Sequence, residues 1–341
     1  MRMVRTLLSA HRCAQLGAFR AAAALPPCRA GGVAQSAACP RSATMRRCSG
    51  GWSRGVSAAA AAAKPADFGG EVAALYETWF RQAAPSWETH VDALRRLSGG
   101  RDGWPAAILD VASGPGQPAM RLAEAFPSAT VTATDVSPDM VAKARAHAAA
   151  VGVALTCREL DMQRMDGIVD GSVDAVSINY GLMFAADLPL ALSEVKRVLA
   201  PGGVLTATVW TEMPVVPFVG RVMTRVLGRA PPPPPINPMS LAEPGSLDGP
   251  LAAAGFEVLD DRRCPLDFEL PRGDEEAAWK LATIMVNATL REMHESGEHG
   301  NVWGKAREAA LAELQAWKTA DGAYKVPTAT YRLVVARKPA A

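Results

Sequence analysis

The chain has 341 residues, of which 49% are hydrophobic, 21% charged and 6% aromatic. Those proportions belong to a packed globular protein and exclude a disordered or fibrous one, and no run of about 18 apolar residues suggests a membrane-spanning helix. The formal net charge of +2 looks uninformative, but it is the sum of two unlike parts.

Residues 1–66 carry ten basic residues (Arg2, Arg5, Arg12, Arg20, Arg29, Arg41, Arg46, Arg47, Arg54 and Lys64) and no Asp or Glu; the first acid is Asp67. An Arg- and Ser-rich, acid-free N-terminus able to form a basic amphipathic helix has the composition of an organelle transit peptide. The stretches Ala21–Leu25 and Ala58–Ala63 are too short and too weakly apolar for a secretory signal core. We therefore expect residues 1–66 to be a disordered targeting segment for the mitochondrion, with the plastid as second choice and a nucleic-acid-binding basic arm as the bland alternative. Without it, residues 67–341 hold 26 basic and 34 acidic residues, a net charge of −8, which gives them no electrostatic footing on a nucleic acid. Of six cysteines only Cys157 and Cys264 lie there, with no paired C-x-x-C spacing, so no zinc site or disulfide framework is expected.

Along the remaining chain, helical spacing runs over residues 70–98 with a split at Pro85, and Ser98-Gly99-Gly100 ends it. Short apolar runs then alternate with amphipathic segments. Strands are expected at Ala107–Val111, Thr130–Thr134, Val153–Arg158, Val173–Ile178 and Val204–Trp210. Helices are expected at Gln117–Phe126 and Pro138–Ala150, and along the stripe Leu188, Leu192, Val195, Leu199, with Pro201-Gly202-Gly203 as its stop. Thr211–Ser240, with Pro231–Pro235 inside it, cannot be ordinary helix or central strand and reads as a cap or lid excursion over the carboxyl edge of the sheet, about 211–240. The rhythm resumes with a helix near Ser246–Ala254, a strand Phe256–Asp260, a helical region 274–319 and a last strand Ala329–Ala336. Strands alternating with helices predict an α/β fold with a parallel, doubly wound sheet.

The informative segment is Asp110-Val111-Ala112-Ser113-Gly114-Pro115-Gly116-Gln117, which follows a strand and opens a helix. Glycines there permit a sharp turn and a close backbone approach, and a helix N-terminus favours a carboxylate or phosphate. Asp110 sharpens the reading, because an acid inside the loop repels a diphosphate and welcomes an ammonium group. Asp135 ends the next strand about 20 residues on, where an acid can accept both hydroxyls of a ribose; it or Ser137 would also serve as a helix cap. Leu160-Asp161-Met162 follows the third strand, and Asn179-Tyr180-Gly181-Leu182-Met183 ends the fourth. Four such elements at successive strand ends mark one ligand site, since open α/β sheets bind at their carboxyl edge.

On these residues the chain resembles the class I S-adenosylmethionine (SAM)-dependent methyltransferases, with its nearest likeness in the UbiE-like, type 11 group, over roughly residues 70–260. The resemblance implies a Rossmann-like, doubly wound, mostly parallel seven-stranded sheet with an antiparallel last strand, an N-terminal helix and a cap insertion. The family loop D-x-G-x-G-x-G stands here as Asp110, Ala112, Gly114 and Gly116, with Ala in place of the first Gly. By resemblance Asp110 and the loop, including Ser113, hold the methionine amine and carboxylate of SAM. Asp135 takes the ribose hydroxyls, Val136 and Met140 flank the adenine, Asp161 and Met162 meet its edge, and Asn179 completes the site. Ser193–Gly203 is similar to the family's turn before the fifth strand.

Missing features narrow the acceptor. No Pro-Pro-Tyr/Phe follows Asn179, against nucleic-acid amino methylation, and no Pro-Cys occurs after residue 66, against pyrimidine carbon methylation. Two cysteines are too few for an arsenite enzyme. The quinone-ring C-methyltransferases carry an acidic pair near the end of the fifth strand, which Thr206–Thr211 lacks. A small-molecule acceptor is expected, attacked through O, N, S or C, with no metal. A quinone ring, a small thioether acid, and a methyltransferase-like respiratory-complex assembly factor stand as alternatives. Polar candidates for catalysis are Tyr76, His90, Tyr180 and His294, of which Tyr180 and His90 are put forward, Tyr180 for its place at a strand end. Met183, Phe184 and Trp210 are the expected walls of the acceptor pocket.

Overall fold

A computed structural model describes residues 71–233 and 237–340, with side chains from Glu77 onward; the expected targeting segment and Tyr76 lie outside the described side chains. Helical spacing at the start resolves into α1 (Glu71–Gln82) and α2 (Ala84–Ser98), separated at Ala83 with Pro85 in the first turn of α2. The apolar run at Ala107 forms β1 (Ala107–Val111), followed by α3 (Ala119–Ala125), β2 (Thr130–Asp135), α4 (Pro138–Val151) and β3 (Thr156–Glu159). Then come β4 (Val173–Asn179), a single 3-10 turn (Leu182–Phe184), α5 (Leu188–Val198) and β5 (Leu199–Glu212). The last third holds α6 (Val215–Leu227), α7 (Asp248–Ala253), β6 (Glu257–Leu266), α8 (Glu275–Ala282), α9 (Asn287–Ser296), α10 (Val302–Leu314) and β7 (Ala329–Arg337).

The strands form one seven-stranded sheet in the order β3-β2-β1-β4-β5-β7-β6. β1 to β5 pair in parallel, and β7 lies antiparallel between β5 and β6. The strand order reverses between β1 and β4, which places a crevice at their carboxyl ends. Side chains alternate across the sheet. Ile108, Ala175 and Val204 join Val91 and Leu94 of α2 and Leu122 of α3 on one face, while Val176, Ile178 and Leu205 join Leu192 and Val195 of α5 in the larger core on the other. Among the described residues no helix is long and apolar enough to cross a membrane.

Several boundaries differ from the sequence reading for identifiable reasons. β5 begins at Leu199, not Val204, because Gly202 (φ 76°) lets the Pro-Gly-Gly segment bulge while its N–H donates to the Lys338 carbonyl at 2.9 Å. α3 starts at Ala119, since Gly116 at φ 104° is far from helical geometry. β6 continues to Leu266, paired to β7 from Glu257 to Leu266 with a register shift at Leu259.

The largest correction concerns 211–240, where an ordinary helix does occur. α6 buries Val215, Phe218, Val219, Val222, Met223 and Val226 along one side and packs on α10. The prolines that argued against a helix stand after its end at Gly228 (φ 71°). The following segment meets the carboxyl edge, where the Ser240 hydroxyl donates to the Met183 carbonyl at 3.1 Å. A buried helix should be costly to hollow out. Phe218 has no exposed surface and stacks on Trp317 with centroids 4.6 Å apart. Phe218→Ala is expected to lower unfolding free energy by about 3–4 kcal/mol in denaturant titration, where a mobile lid residue would cost less than about 1 kcal/mol.

Candidate functional site

The loop after β1 is shaped by three left-handed residues, Ala112 (φ 54°), Gly114 (φ 54°) and Gly116 (φ 104°). A Cβ at Gly116 would lie 3.3 Å from the Cα of Ala144, so that glycine is required for α4 to approach. The loop is fixed from β2: Ser113 N–H donates to the Thr134 carbonyl at 2.8 Å, and the Thr134 hydroxyl donates to the Asp110 carbonyl at 3.0 Å. Asp135, at the end of β2, accepts Gly114 N–H on Oδ2 and Ser137 N–H on Oδ1, both at 2.9 Å. The Ser137 hydroxyl, and not Asp135, caps α4 by accepting Met140 N–H.

Asp110 is the electrostatic centre of this loop. It has no exposed surface; Oδ2 accepts Ala119 N–H at 3.2 Å, and burial raises its pKa to about 7, a rise that the nearby hydroxyls of Ser113 and Ser177 and the Ala119 amide oppose. Its other oxygen, Oδ1, has no hydrogen-bond partner, nor do Ser113 Oγ and Gln117 Oε1. Buried acceptors without partners are rare in folded proteins, and three in one glycine loop delimit a place built for a donor-bearing group. Asp135 is also pushed up by burial, which its backbone hydrogen bonds partly offset.

The other expected cofactor residues converge on the same edge. Asp161 Oδ1 accepts Gln163 N–H at 2.8 Å, and Met162 packs half-buried against the core. Val136 is 66% exposed at the start of α4, with Met140 half-buried one turn on. Asn179 Oδ1 accepts the Thr208 hydroxyl at 2.8 Å, and Thr208 Oγ1 in turn accepts the N–H of Tyr180 at 3.1 Å.

On the acceptor side, Tyr180 stacks on Trp210 with centroids 4.0 Å apart and meets Tyr331 edge-on at 5.9 Å. Trp210 continues to Phe268, which stacks on Trp79 of α1 at 4.1 Å. Met183 is buried, and Phe184 is 48% exposed beside it. Among the described residues no group of three His, Cys, Asp or Glu side chains could hold a metal ion.

The two catalytic candidates fare differently from their sequence reading. His90 is a core residue with no exposed surface: Nδ1 lies 2.8 Å from Thr206 Oγ1 and 3.1 Å from Ser177 Oγ, and burial lowers its pKa to about 4. Its helical position beside Trp87 and Val91 put it at the surface or in the core with equal ease; the packing of α2 on β4 and β5 decides for the core. The Tyr180 hydroxyl is buried without an ordinary hydrogen bond, and burial raises its pKa well above 10. His294 is exposed on α9 and lies near Trp303, 6.4 Å between rings. Missed in the sequence were Ser177, Thr206 and Thr208, all fully buried. Their signal was present: hydroxyls at alternate positions of otherwise apolar central strands.

A family model described as a methyltransferase domain matches residues 108–203. The chain is 36% identical over 168 residues to the demethylmenaquinone methyltransferase of Thermus thermophilus, covering 45% of this chain and 76% of that protein. It is 37% identical over 99 residues to the enzyme of the same name from Deinococcus radiodurans, of which it spans 41%. Among solved structures, phosphoethanolamine N-methyltransferase 2 of Haemonchus contortus, in complex with phosphomonomethylethanolamine and S-adenosylhomocysteine, aligns with a TM-score of 0.43 and 19% identity, over 74% of this chain and 52% of that one.

Two predictions follow from the loop geometry. A Cβ on Gly181 would stand 2.8 Å from Cβ of Ala112 and 2.6 Å from Cγ2 of Ile178, so Gly181 makes room for the Ala112 methyl. Ala112→Gly, relieving a left-handed alanine, should stabilise the fold by about 1 kcal/mol. Gly181→Ala should destabilise it by more than about 2 kcal/mol, and Ala112→Gly should recover part of that loss in a double-mutant cycle read by denaturant titration. For Asp110, a folded-state pKa raised above its unfolded value makes stability greatest below the unfolded value and drains it as pH rises toward 7. Asp110→Asn cannot ionise, so its melting temperature should gain on the parent's between pH 4 and 7 and hold a constant lead above pH 7.

Proposed function

The chain belongs to the class I S-adenosylmethionine-dependent methyltransferases, and from that premise we propose that it methylates a small, largely apolar acceptor held beside Tyr180 and Trp210. The observation that carries this reading is the cluster of unpartnered buried acceptors, Asp110 Oδ1, Ser113 Oγ and Gln117 Oε1, in the glycine loop at the β1–β4 crevice. Such a loop suits a zwitterionic amino-acid group: unpartnered acceptors for an ammonium, and left-handed turns that let the backbone come close to a carboxylate. SAM, when bound, supplies an already activated methyl group on its sulfonium.

The residues of this chain then have the following tasks. Asp110 and Ser113 receive the ammonium group, with Ala112, Gly114 and Gly116 giving the backbone its close approach. Asp135, already oriented by Gly114 and Ser137, accepts the ribose hydroxyls with its remaining lone pairs. Val136 and Met140 flank the adenine, while Asp161 and Met162 meet its edge. Asn179 sits between the two halves of the site, and Met183, Phe184 and Trp210 wall the acceptor. Catalysis is placement: holding the acceptor's nucleophile in line about 3 Å from the methyl carbon in a water-poor site.

Neither His90 nor Tyr180 is a base in this reading, since one is sealed in the core and the other is held protonated. The site therefore fits a nucleophile that loses no proton on methylation, a thioether or a tertiary amine, whereas a reduced quinone ring carbon needs a further base to take the ring proton it sheds. A quinone ring is the second, finer reading, favoured by the demethylmenaquinone methyltransferases among the relatives. β5 does run on to one acid, Glu212, 63% exposed and 3.7 Å from Arg263.

The acid-free, ten-fold basic residues 1–66 support delivery to the mitochondrion, which imaging of the tagged full chain would check. The same chain, incubated with methyl-labelled SAM and a lipid extract of that organelle, should place label on an apolar small molecule identifiable by mass spectrometry. Reduced demethylmenaquinone analogues are the first pure acceptors to try. Failure to bind SAM in calorimetry would instead favour the assembly-factor alternative.

A further inference from the structure

The zwitterionic end of SAM needs donors as well as acceptors, and the glycine loop has few donors to offer. From Ser113 to Ala119 every backbone N–H is already spent. Ser113 donates to the Thr134 carbonyl and Gly114 to Asp135 Oδ2. Gly116 and Gln117 both donate to the Ser113 carbonyl, at 3.0 and 3.2 Å, and Ala119 donates to Asp110 Oδ2. Pro115 and Pro118 have no N–H. The unpartnered side-chain atoms of the loop are Asp110 Oδ1 and Gln117 Oε1, which accept, and the single hydroxyl of Ser113. Arg121, the one cation of α3, is taken by Glu88 and Glu124. The loop can therefore receive an ammonium group, but it leaves the carboxylate bonded to the same carbon short of donors.

A donor of the required kind stands on α2. Trp87 is 6% exposed, and its Nε1–H, which can only donate, has no partner. Its neighbours along the helix fix where it stands. Leu94 and Val91 pack on the lowest layer of the sheet, and His90 lies above them against Ser177 and Thr206. Followed backward, α2 thus climbs toward the carboxyl edge. One turn before His90, about 5.4 Å, Trp87 comes level with Asn179, which is two residues, about 6.6 Å, beyond Ser177 on β4. At about 100° per residue, Trp87 projects between His90, which faces β4 and β5, and Glu88, which accepts from Arg121 of α3 at 2.7 Å. That direction lies over β1 and β4, at the crevice where the glycine loop opens. There Trp87 parts from Val91 and Leu94 and joins the apolar cluster of Met183 and Trp210, its ring 5.0 Å from that of Phe80 on α1. A buried indole N–H without an acceptor is costly, and this one is directed at the part of the site that lacks donors.

We propose that Trp87 is a cofactor-binding residue: its Nε1–H donates to the carboxylate at the methionine end of SAM, while Asp110, Ser113 and Gln117 receive the ammonium. The amino-acid group is then shared between the glycine loop and the N-terminal helices. This rests on the assignment of that loop to SAM. Two ligands separate the halves of the group. S-adenosylhomocysteine carries both the ammonium and the carboxylate, whereas S-adenosyl-3-thiopropylamine keeps the ammonium and lacks the carboxylate. Affinities of the full chain for each are measured by calorimetry, beside Trp87→Phe, which keeps an aromatic ring and loses the N–H. The parent should bind S-adenosylhomocysteine the more tightly. Trp87→Phe should weaken it about tenfold and change the thiopropylamine by less than about twofold. Equal losses for the two ligands, or no loss for either, overturn the proposal. In the unaltered chain, the assigned Trp87 indole resonance in nitrogen-15 NMR should move downfield with S-adenosylhomocysteine and less with the thiopropylamine. Equal movement overturns the proposal without any substitution. A parent chain that binds neither ligand refutes the cofactor assignment and this bond with it, while one that binds both equally refutes the bond alone.

Discussion

The carboxylate of Asp110 has no exposed surface and too few donors of its own, and much of the site is arranged around that deficit. The sheet face toward α2 changes character as it rises to the carboxyl edge. Its lowest layer, Ile108, Ala175 and Val204, is apolar; the next, Asp110, Ser177 and Thr206, is polar; above it stand Asn179 and Thr208, then Trp210 with Tyr180 and Tyr331. A polar layer sealed between an apolar floor and an aromatic roof experiences a low dielectric, where each hydrogen bond is strong and each missing one is costly. That makes the layer intolerant of disorder, and rigidity is what a placement catalyst needs from its scaffold.

Two residues other than glycine adopt left-handed backbone geometry among the described residues, Ala112 and Tyr180, and they flank the same point, where the loops after β1 and β4 meet. Backbone strain of this kind persists only where the surroundings over-determine it. Here Thr208 receives the Tyr180 N–H, Trp210 stacks on the Tyr180 ring, and Gly181 clears space for the Ala112 methyl. The same aromatic series runs through Phe268 to Trp79, so α1 is joined to the acceptor wall, and Gln82 adds paired hydrogen bonds to the Glu269 backbone. The N-terminal helices are therefore part of the site's roof.

The β-α alternation, the order of the strand ends and the glycine loop could be read from the chain because each is a local pattern: an apolar period, a turn residue, an acid at a fixed offset. Asp110 and Asp135 stand where those patterns put them. What local patterns could not reach was decided by packing between distant segments. His90 has neighbours 87 and 116 residues away, and nothing within its own helix distinguishes a sealed imidazole from a wet one. α6 was hidden for a different reason: five prolines close behind it weighed against helix, although Val215, Phe218, Val222 and Val226 repeat at helical spacing before them. The hydroxyls of β4 and β5 went unread because a serine or threonine in a strand is ordinary until its face is known to be buried.

The contact between Ala112 and Gly181 bears on how such a sequence can change. A chain with glycine at both positions accommodates either loop, but once alanine occupies position 112 in its left-handed geometry, the hydrogen at position 181 becomes the only side group that fits. A path to a larger residue at 181 must first pass back through glycine at 112 and also make room at Ile178. The alanine is thus more than a tolerated departure from a glycine motif, since it fixes the order in which its neighbours are permitted to vary.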